Sequence, residues 1–133
     1  ISLKQAVDFH GHLGPYLVLG LLMRDYALTR LKAQPHFGLK VMAWGAKDKP
    51  RSGLIAGLQL STGCTYGKGN IRKYGGRFIK ASFLKLNNKK SVDLSVRSEI
   101  TKMLSRVRGH ESSENLARKI FNMQAEDVFI AKI

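Results

Sequence analysis

The sequence is poor in cysteine, proline and acidic residues. Its 133 residues include one cysteine, three prolines and nine Asp or Glu. Because Cys64 is alone, the chain holds neither an internal disulfide framework nor a zinc ribbon built on CxxC pairs. The longest apolar stretch, Tyr16 to Met23, is far shorter than the roughly 18 residues that a membrane span needs. No charged segment leading into an apolar one opens the sequence, so we expect a reduced, cytoplasmic protein without a membrane segment.

Several common catalytic motifs are also absent. In the glycine-rich loop, three residues instead of four separate Gly63 from Gly67-Lys68, and glycine instead of Ser or Thr follows the lysine. This spacing does not fit a Walker phosphate loop, and no GxSxG, HExxH or GxGxxG pattern occurs. ATP or GTP hydrolysis is therefore unsupported, and enzymatic activity of another kind stays open.

The hydrophobic content of 44% is enough for the core of one domain, which we place over residues 1–133. The periodicity predicts, in order, a short helix capped by Ser2, a central buried helix over 15–31, a strand over 39–46, a helix or buried strand around 54–60, strands over 71–74, 77–86 and 92–96, helices over 97–107 and 113–123, and a strand over 128–133. Gly75-Gly76 predicts a two-residue hairpin turn. The fold class is α+β, a compact domain with an antiparallel sheet packed with the central helix.

The charge is strongly one-sided, with 23 Lys and Arg and a formal net charge of +14. Between Tyr66 and Arg108 there are twelve basic and two acidic residues. Such a block attracts polyanions by counterion release. It indicates a nucleic-acid-binding module, a degenerate scaffold that docks an acidic partner, or a solvated basic face. For a nucleic-acid module, exposed Tyr66 and Tyr74 would stack on bases, whereas Phe78 and Phe83 are predicted to face the core.

The segment His10-Gly11-His12 is the sharpest local feature. Side chains two residues apart in an extended segment point the same way, so both imidazoles can face one point. That point would lie just before the N-terminus of the predicted central helix, and imidazole is a ligand that zinc and similar metals prefer. The alternative is a pair of hydrogen-bonded structural histidines.

Cys64 lies in a second glycine-rich segment. Thr62, Gly63 and Thr65 surround it, and Lys68 follows closely. Backbone N–H groups of such a loop could stabilise a thiolate, which would make Cys64 a metal ligand or a nucleophile. The alternative is a buried cysteine that acts as a small hydrophobic residue.

Two segments together resemble the FmdE family, which takes its name from formylmethanofuran dehydrogenase. They are the FHGHLGPY segment over 9–16 and the GLQLSTGCTYGKGN segment over 57–70. The resemblance implies an α+β core in an intertwined homodimer. It also implies a zinc-type metal site on His10, His12 and Cys64, and we place Tyr16, Thr62 and Lys68 as ligand-binding residues beside it. The expected function is a metal-binding accessory or small-molecule-binding protein of one-carbon or molybdenum-enzyme metabolism, with an anionic small molecule as ligand.

The sequence also departs from the family pattern. Members often show a C-x-x-D-G-x-Q segment, and the matching positions in this chain are Gly53 and Ala56. Many members also carry a zinc finger built on CxxC pairs, and residues 1–133 contain no such pair. We therefore expect that the pocket is kept and that chemistry which depends on those two side chains is lost.

Overall fold

The computed structural model describes all residues from 1 to 133. Its elements are, in chain order, α1 (Leu3–His10), α2 (Pro15–Leu31), β1 (Leu39–Trp44), α3 (Gly53–Thr62), β2 (Ile71–Tyr74), β3 (Lys80–Lys85), β4 (Ser91–Val96), α4 (Ser98–Ser105), α5 (Gly109–Phe121), α6 (Ala125–Val128) and β5 (Phe129–Lys132). The α+β fold class is confirmed.

Helix α2 is the centre of the molecule. Pro15 occupies its first position, where the missing N–H of proline costs nothing, and Lys32 ends the helix in the left-handed conformation. Most of its residues are buried on every side, because α3 and α5 pack against it and β3 and β4 lie beneath it. The predicted buried helix is thus confirmed. None of the helices combines the length and apolar character that a membrane crossing would demand.

The five strands form one sheet in the order β2-β1-β3-β4-β5. Strands β1 and β2 pair in parallel and the other three pairings are antiparallel, so the sheet is mixed and not wholly antiparallel as predicted. The predicted hairpin at Gly75-Gly76 is wrong, because β1 lies between β2 and β3. The segment between these strands instead crosses the end of β1, where a Cβ on Gly45 would collide with the carbonyl oxygen of Phe78. The glycines therefore serve a close backbone crossing.

The helices cover one face of the sheet. On β1, Leu39, Val41 and Ala43 are buried under them, while Lys40, Met42 and Trp44 alternate onto the other face and are half-buried. The core prediction is confirmed for Phe83, which is completely buried on β3. It is wrong for Phe78, which is 75% exposed. Phe78 belongs to the crossing segment before β3, so strand alternation does not direct its side chain inward.

Helices α2 and α3 cross in backbone contact. A Cβ on Gly20 would lie 2.8 Å from both the Leu54 carbonyl oxygen and the Leu58 amide nitrogen. On the opposing helix, a Cβ on Gly57 would lie 3.2 Å from the Gly20 Cα. Two glycines that face each other allow this approach. The segment around 54–60 is therefore a helix, and its position relative to α2 shapes the cleft described next.

Candidate functional site

The connection between α1 and α2 holds His10 and His12 side by side. Helix α1 ends at His10 because Gly11 adopts the left-handed conformation, with φ of 99°. Buried Leu13 then anchors the connection in the core, and α2 starts two residues later. The two imidazole rings lie with centroids 4.6 Å apart and planes tilted by 45°. The two rings lie side by side, but a helix end and a left-handed glycine bring them together, not the extended segment that was predicted.

The histidine pair borders a cleft of about 390 Å³. The first turn of α2, the loop over 49–53, the end of α4 and the start of α5 supply the other walls. Its polar lining comes from Tyr16, Lys49, Ser52 and Ser113, and no Asp or Glu lines it. Because Lys49 is the one permanently charged residue in this lining and no carboxylate opposes it, the cleft favours neutral or anionic groups over cations.

Burial shifts the pKa values of two ionisable groups in the cleft. It lowers the pKa of His10, and the nearby charge of His12 lowers it further. His10 is therefore neutral at pH 7. Burial also raises the pKa of the Tyr16 phenol, against the opposing effect of the Arg51 guanidinium. The phenol stays protonated at neutral pH and can donate a hydrogen bond.

Gly53 starts α3 at the wall of this cleft. A Cβ at this position would lie 3.3 Å from the Tyr16 Cβ and 3.8 Å from His10 Nε2. A cysteine at residue 53, as in the family pattern, would project its sulfur close to the histidine pair. Glycine leaves that space open. Ala56 lies elsewhere, since it packs against the small apolar cluster that contains Leu17 and Leu21.

The structure does not bring Cys64 to the two histidines. Cys64 follows the C-terminal end of α3, whereas Gly53 at the N-terminal end meets His10. A ten-residue helix is about 15 Å long, which separates the two places. The Cys64 side chain is fully buried, with its sulfur 3.5 Å from the Leu39 carbonyl oxygen. Burial raises the pKa of the thiol, against smaller opposing effects of Thr62 and Lys68, so it is protonated at neutral pH.

Thr62 and Lys68 lie with Cys64, away from the cleft. The Thr62 hydroxyl donates to the Leu58 carbonyl and accepts a hydrogen bond from the Cys64 amide at 3.0 Å. The Lys68 ammonium lies 4.6 Å from the centroid of the Phe37 ring. Both residues therefore support the loop after α3. Of the three residues predicted to bind a ligand, Tyr16 is the one that lines the cleft.

The metal implied by the resemblance can be compared with these donors. A catalytic zinc site uses three protein ligands and a structural one uses four. The histidine pair offers two, and no group of three His, Cys, Asp or Glu side chains is placed to hold a metal ion. Within one chain, the histidine pair therefore supplies fewer protein ligands than a catalytic or a structural zinc site uses.

The family model described as "FmdE, Molybdenum formylmethanofuran dehydrogenase operon" matches residues 9–130. The chain belongs to the FmdE family. The match covers nearly the whole sequence and includes the histidine pair, the cleft and the loop around Cys64. It confirms the resemblance carried by the two motifs. No curated protein matches the chain.

Three polar residues that line this FmdE-family cleft were missed in the sequence. Lys49 and Ser52 occupy an ordinary polar loop, and Ser113 lies about a hundred residues beyond the histidines on α5. The packing of α5 against α2 brings Ser113 to the cleft. Arg51 was missed as well, and its guanidinium lies near the Tyr16 hydroxyl and donates to the Arg77 carbonyl oxygen at 2.8 Å. No sequence motif marks any of these positions.

Proposed function

We propose that this FmdE-family chain is an accessory protein that binds a small anionic molecule in the cleft beside His10 and His12. The observation that carries the proposal is the composition of this cleft. His10, His12 and Lys49 line a cavity that no Asp or Glu lines. The operon named in the family description supports a place in one-carbon or molybdenum-enzyme metabolism.

The histidine pair makes anion binding dependent on pH. In the free protein, burial and His12 lower the pKa of His10, so its neutral form dominates at pH 7. An anion beside the ring favours the charged form and raises that pKa. Binding is then coupled to proton uptake. The affinity is highest below the pKa of the free protein and declines as the pH rises through the pKa of the complex.

A zinc-type divalent metal on His10 and His12 is a second candidate. It is favoured by the lowered pKa of His10, because neutral imidazole is the form that binds metals. With two protein ligands, the ion would take its other ligands from water or from a bound small molecule. This candidate has the opposite pH dependence, since protonation of the imidazoles competes with the metal.

Isothermal titration calorimetry at pH 5.5 and 7.5 tests both candidates. The probes are formate, molybdate and zinc chloride, and the variants are His12→Ala and His110→Ala. His110 is an exposed histidine on α5 that does not line the cleft, so its variant is a matched control. We expect an anion to bind more tightly at pH 5.5, to lose affinity in His12→Ala and to be unaffected in His110→Ala. Tighter zinc binding at pH 7.5 with the same variant pattern would favour the metal instead. Equal affinities of the His12→Ala and His110→Ala variants would refute a role for the histidine pair.

The homodimer implied by the resemblance stays a prediction. Light scattering tests it directly, because a dimer has twice the 14.8 kDa mass of one chain. A mass of one chain at micromolar concentration would contradict it.

A further inference from the structure

A second surface lies at the end of the sheet, on the face that the helices leave uncovered. Here Trp44 on β1 stands in register between Tyr74 on β2 and Lys80 on β3. The Trp44 and Tyr74 rings stack with centroids 5.3 Å apart and planes 24° apart. The Lys80 ammonium lies 4.7 Å from the centroid of the Trp44 ring. Three strands thus present one row of stacked aromatic and cationic groups.

Phe78 lies in the segment that crosses the end of β1, two residues before Lys80. Its side chain is 75% exposed, that of Tyr74 is 43% exposed, and the Arg77 guanidinium lies 5.6 Å from the Phe78 ring centroid. Arg51 ties the crossing segment to the end of β1, because its guanidinium donates to the carbonyl oxygens of both Arg77 and Gly45. We call Trp44, Tyr74 and Phe78 the aromatic platform.

The stretch of sequence that carries Tyr74 and Phe78 is strongly basic. From residue 49 to residue 92 there are ten Lys and Arg and no Asp or Glu. Asp93, opposite Ser82 on the neighbouring strand, forms no ion pair, and the two ion pairs of the chain lie on α1 and α2. Arg72, Arg77 and Lys80 are therefore not paired with any carboxylate.

We propose that the aromatic platform is a binding surface for single-stranded nucleic acid. Bases stack on the exposed rings of Tyr74 and Phe78, and the phosphates contact Arg72, Arg77 and Lys80. A single strand matches both properties of the surface, because it presents flat rings and negative charge at every residue. A second copy of this chain does not, since an isologous contact would bring the same unpaired cations together. The proposal is independent of the cleft.

The chain contains one tryptophan, Trp44, so its fluorescence reports on the proposed site directly. The probe is a twelve-nucleotide oligothymidylate, with inorganic polyphosphate and polyglutamate as polyanions without bases. We expect oligothymidylate to quench the emission. With three phosphate contacts, the slope of log affinity against log salt is about −2, which is about a 20-fold loss between 50 and 200 mM salt. Equal quenching and affinity with polyphosphate or polyglutamate would overturn the proposal in favour of a general polyanion or acidic-protein surface.

Two pairs of variants separate stacking from charge. Tyr74→Ala and Phe78→Ala each lower the affinity by about fivefold or more, at the lower end of the range for base–aromatic stacking. Phe78 is 75% exposed, so its loss should hardly change the melting temperature, whereas Tyr74→Ala also removes the stack on Trp44 and should lower it by about 2–5 °C. Arg77→Ala reduces the salt slope by about 0.7, whereas Lys119→Ala, an equal change of charge on α5, leaves it unchanged. Wild-type affinity in both aromatic variants would overturn the proposal. A second result would also overturn it: a shift of the Trp44 emission with protein concentration in the absence of nucleic acid, together with a dimeric mass. In that case a second copy of the chain would cover the aromatic platform.

Discussion

The contact between α2 and α3 predicts that Gly20→Ala destabilises the protein, although alanine is the better helix former. Alanine in a helix interior gains about 1 kcal/mol over glycine. Its Cβ, however, would lie 2.8 Å from two backbone atoms of α3, and ordinary contact begins at 3.4 Å. The obstacle is backbone, so the helices themselves must separate by about 0.6 Å.

The expected size follows from these opposing terms. Overpacking of a tight core costs about 1–3 kcal/mol, and a rigid backbone obstacle belongs at the upper end of that range. After the gain in helix propensity, the net loss is about 2 kcal/mol. The unfolding entropy of a chain of this length is about 0.28 kcal/mol/K, so the melting temperature should fall by about 7 °C.

Thermal unfolding followed by circular dichroism measures this shift, with Gly38→Ala as the control. A Cβ on Gly38 would meet nothing within 4 Å, so this variant should be neutral or more stable by about 0.4–1 kcal/mol. Because α3 places Gly53 against Tyr16, Gly20→Ala should also weaken ligand binding in the cleft. If Gly20→Ala left the melting temperature unchanged or raised it, the close approach of α2 and α3 would be refuted.

Three further predictions concern the cleft, the thiol and the core. Gly53→Cys places a sulfur near His10 and should increase the affinity for zinc at pH 7.5 by at least about tenfold over wild type, or 1.4 kcal/mol. Calorimetry measures this affinity, and an unchanged value would contradict the position of residue 53. Because burial raises the pKa of the Cys64 thiol, iodoacetamide should label the native protein at pH 8 much more slowly than the unfolded protein. Mass spectrometry measures both labelling rates, and equal rates would contradict the burial of Cys64. Phe83→Ala should cost about 3–5 kcal/mol in urea unfolding, and a cost below about 1 kcal/mol would argue against its place in the core.

The elements with strong local patterns were predictable from the sequence. Helix α2 follows from its long apolar stretch behind Pro15, and α1 from Ser2, which forms a capping box with Gln5. The order of strands was not predictable, because Gly75-Gly76 indicates a change of chain direction but does not determine which strand pairs with β2. Phe78 was misplaced for the same reason, since its face was inferred from a strand that starts two residues later.

The candidate site was predictable in part. The two histidines are two residues apart in sequence, so local geometry alone brings their rings together. The distance to Cys64 depends on the length and direction of α3, which the spacing of motifs does not reveal. The cleft walls at Lys49 and Ser113 depend on packing between distant segments, for which the sequence offers no local signal.

The scarcity of ion pairs has a consequence for the stability of the fold. With 23 basic and nine acidic residues and two ion pairs, the folded chain holds its positive charges close together without compensation. Unfolding moves them apart, so self-repulsion favours the unfolded state. The repulsion reaches furthest in dilute buffer, where the Debye length is about 30 Å at 0.01 M salt against about 8 Å at 0.15 M. Added salt should therefore raise the melting temperature, and a bound polyanion would act as a multivalent counterion that stabilises the native chain.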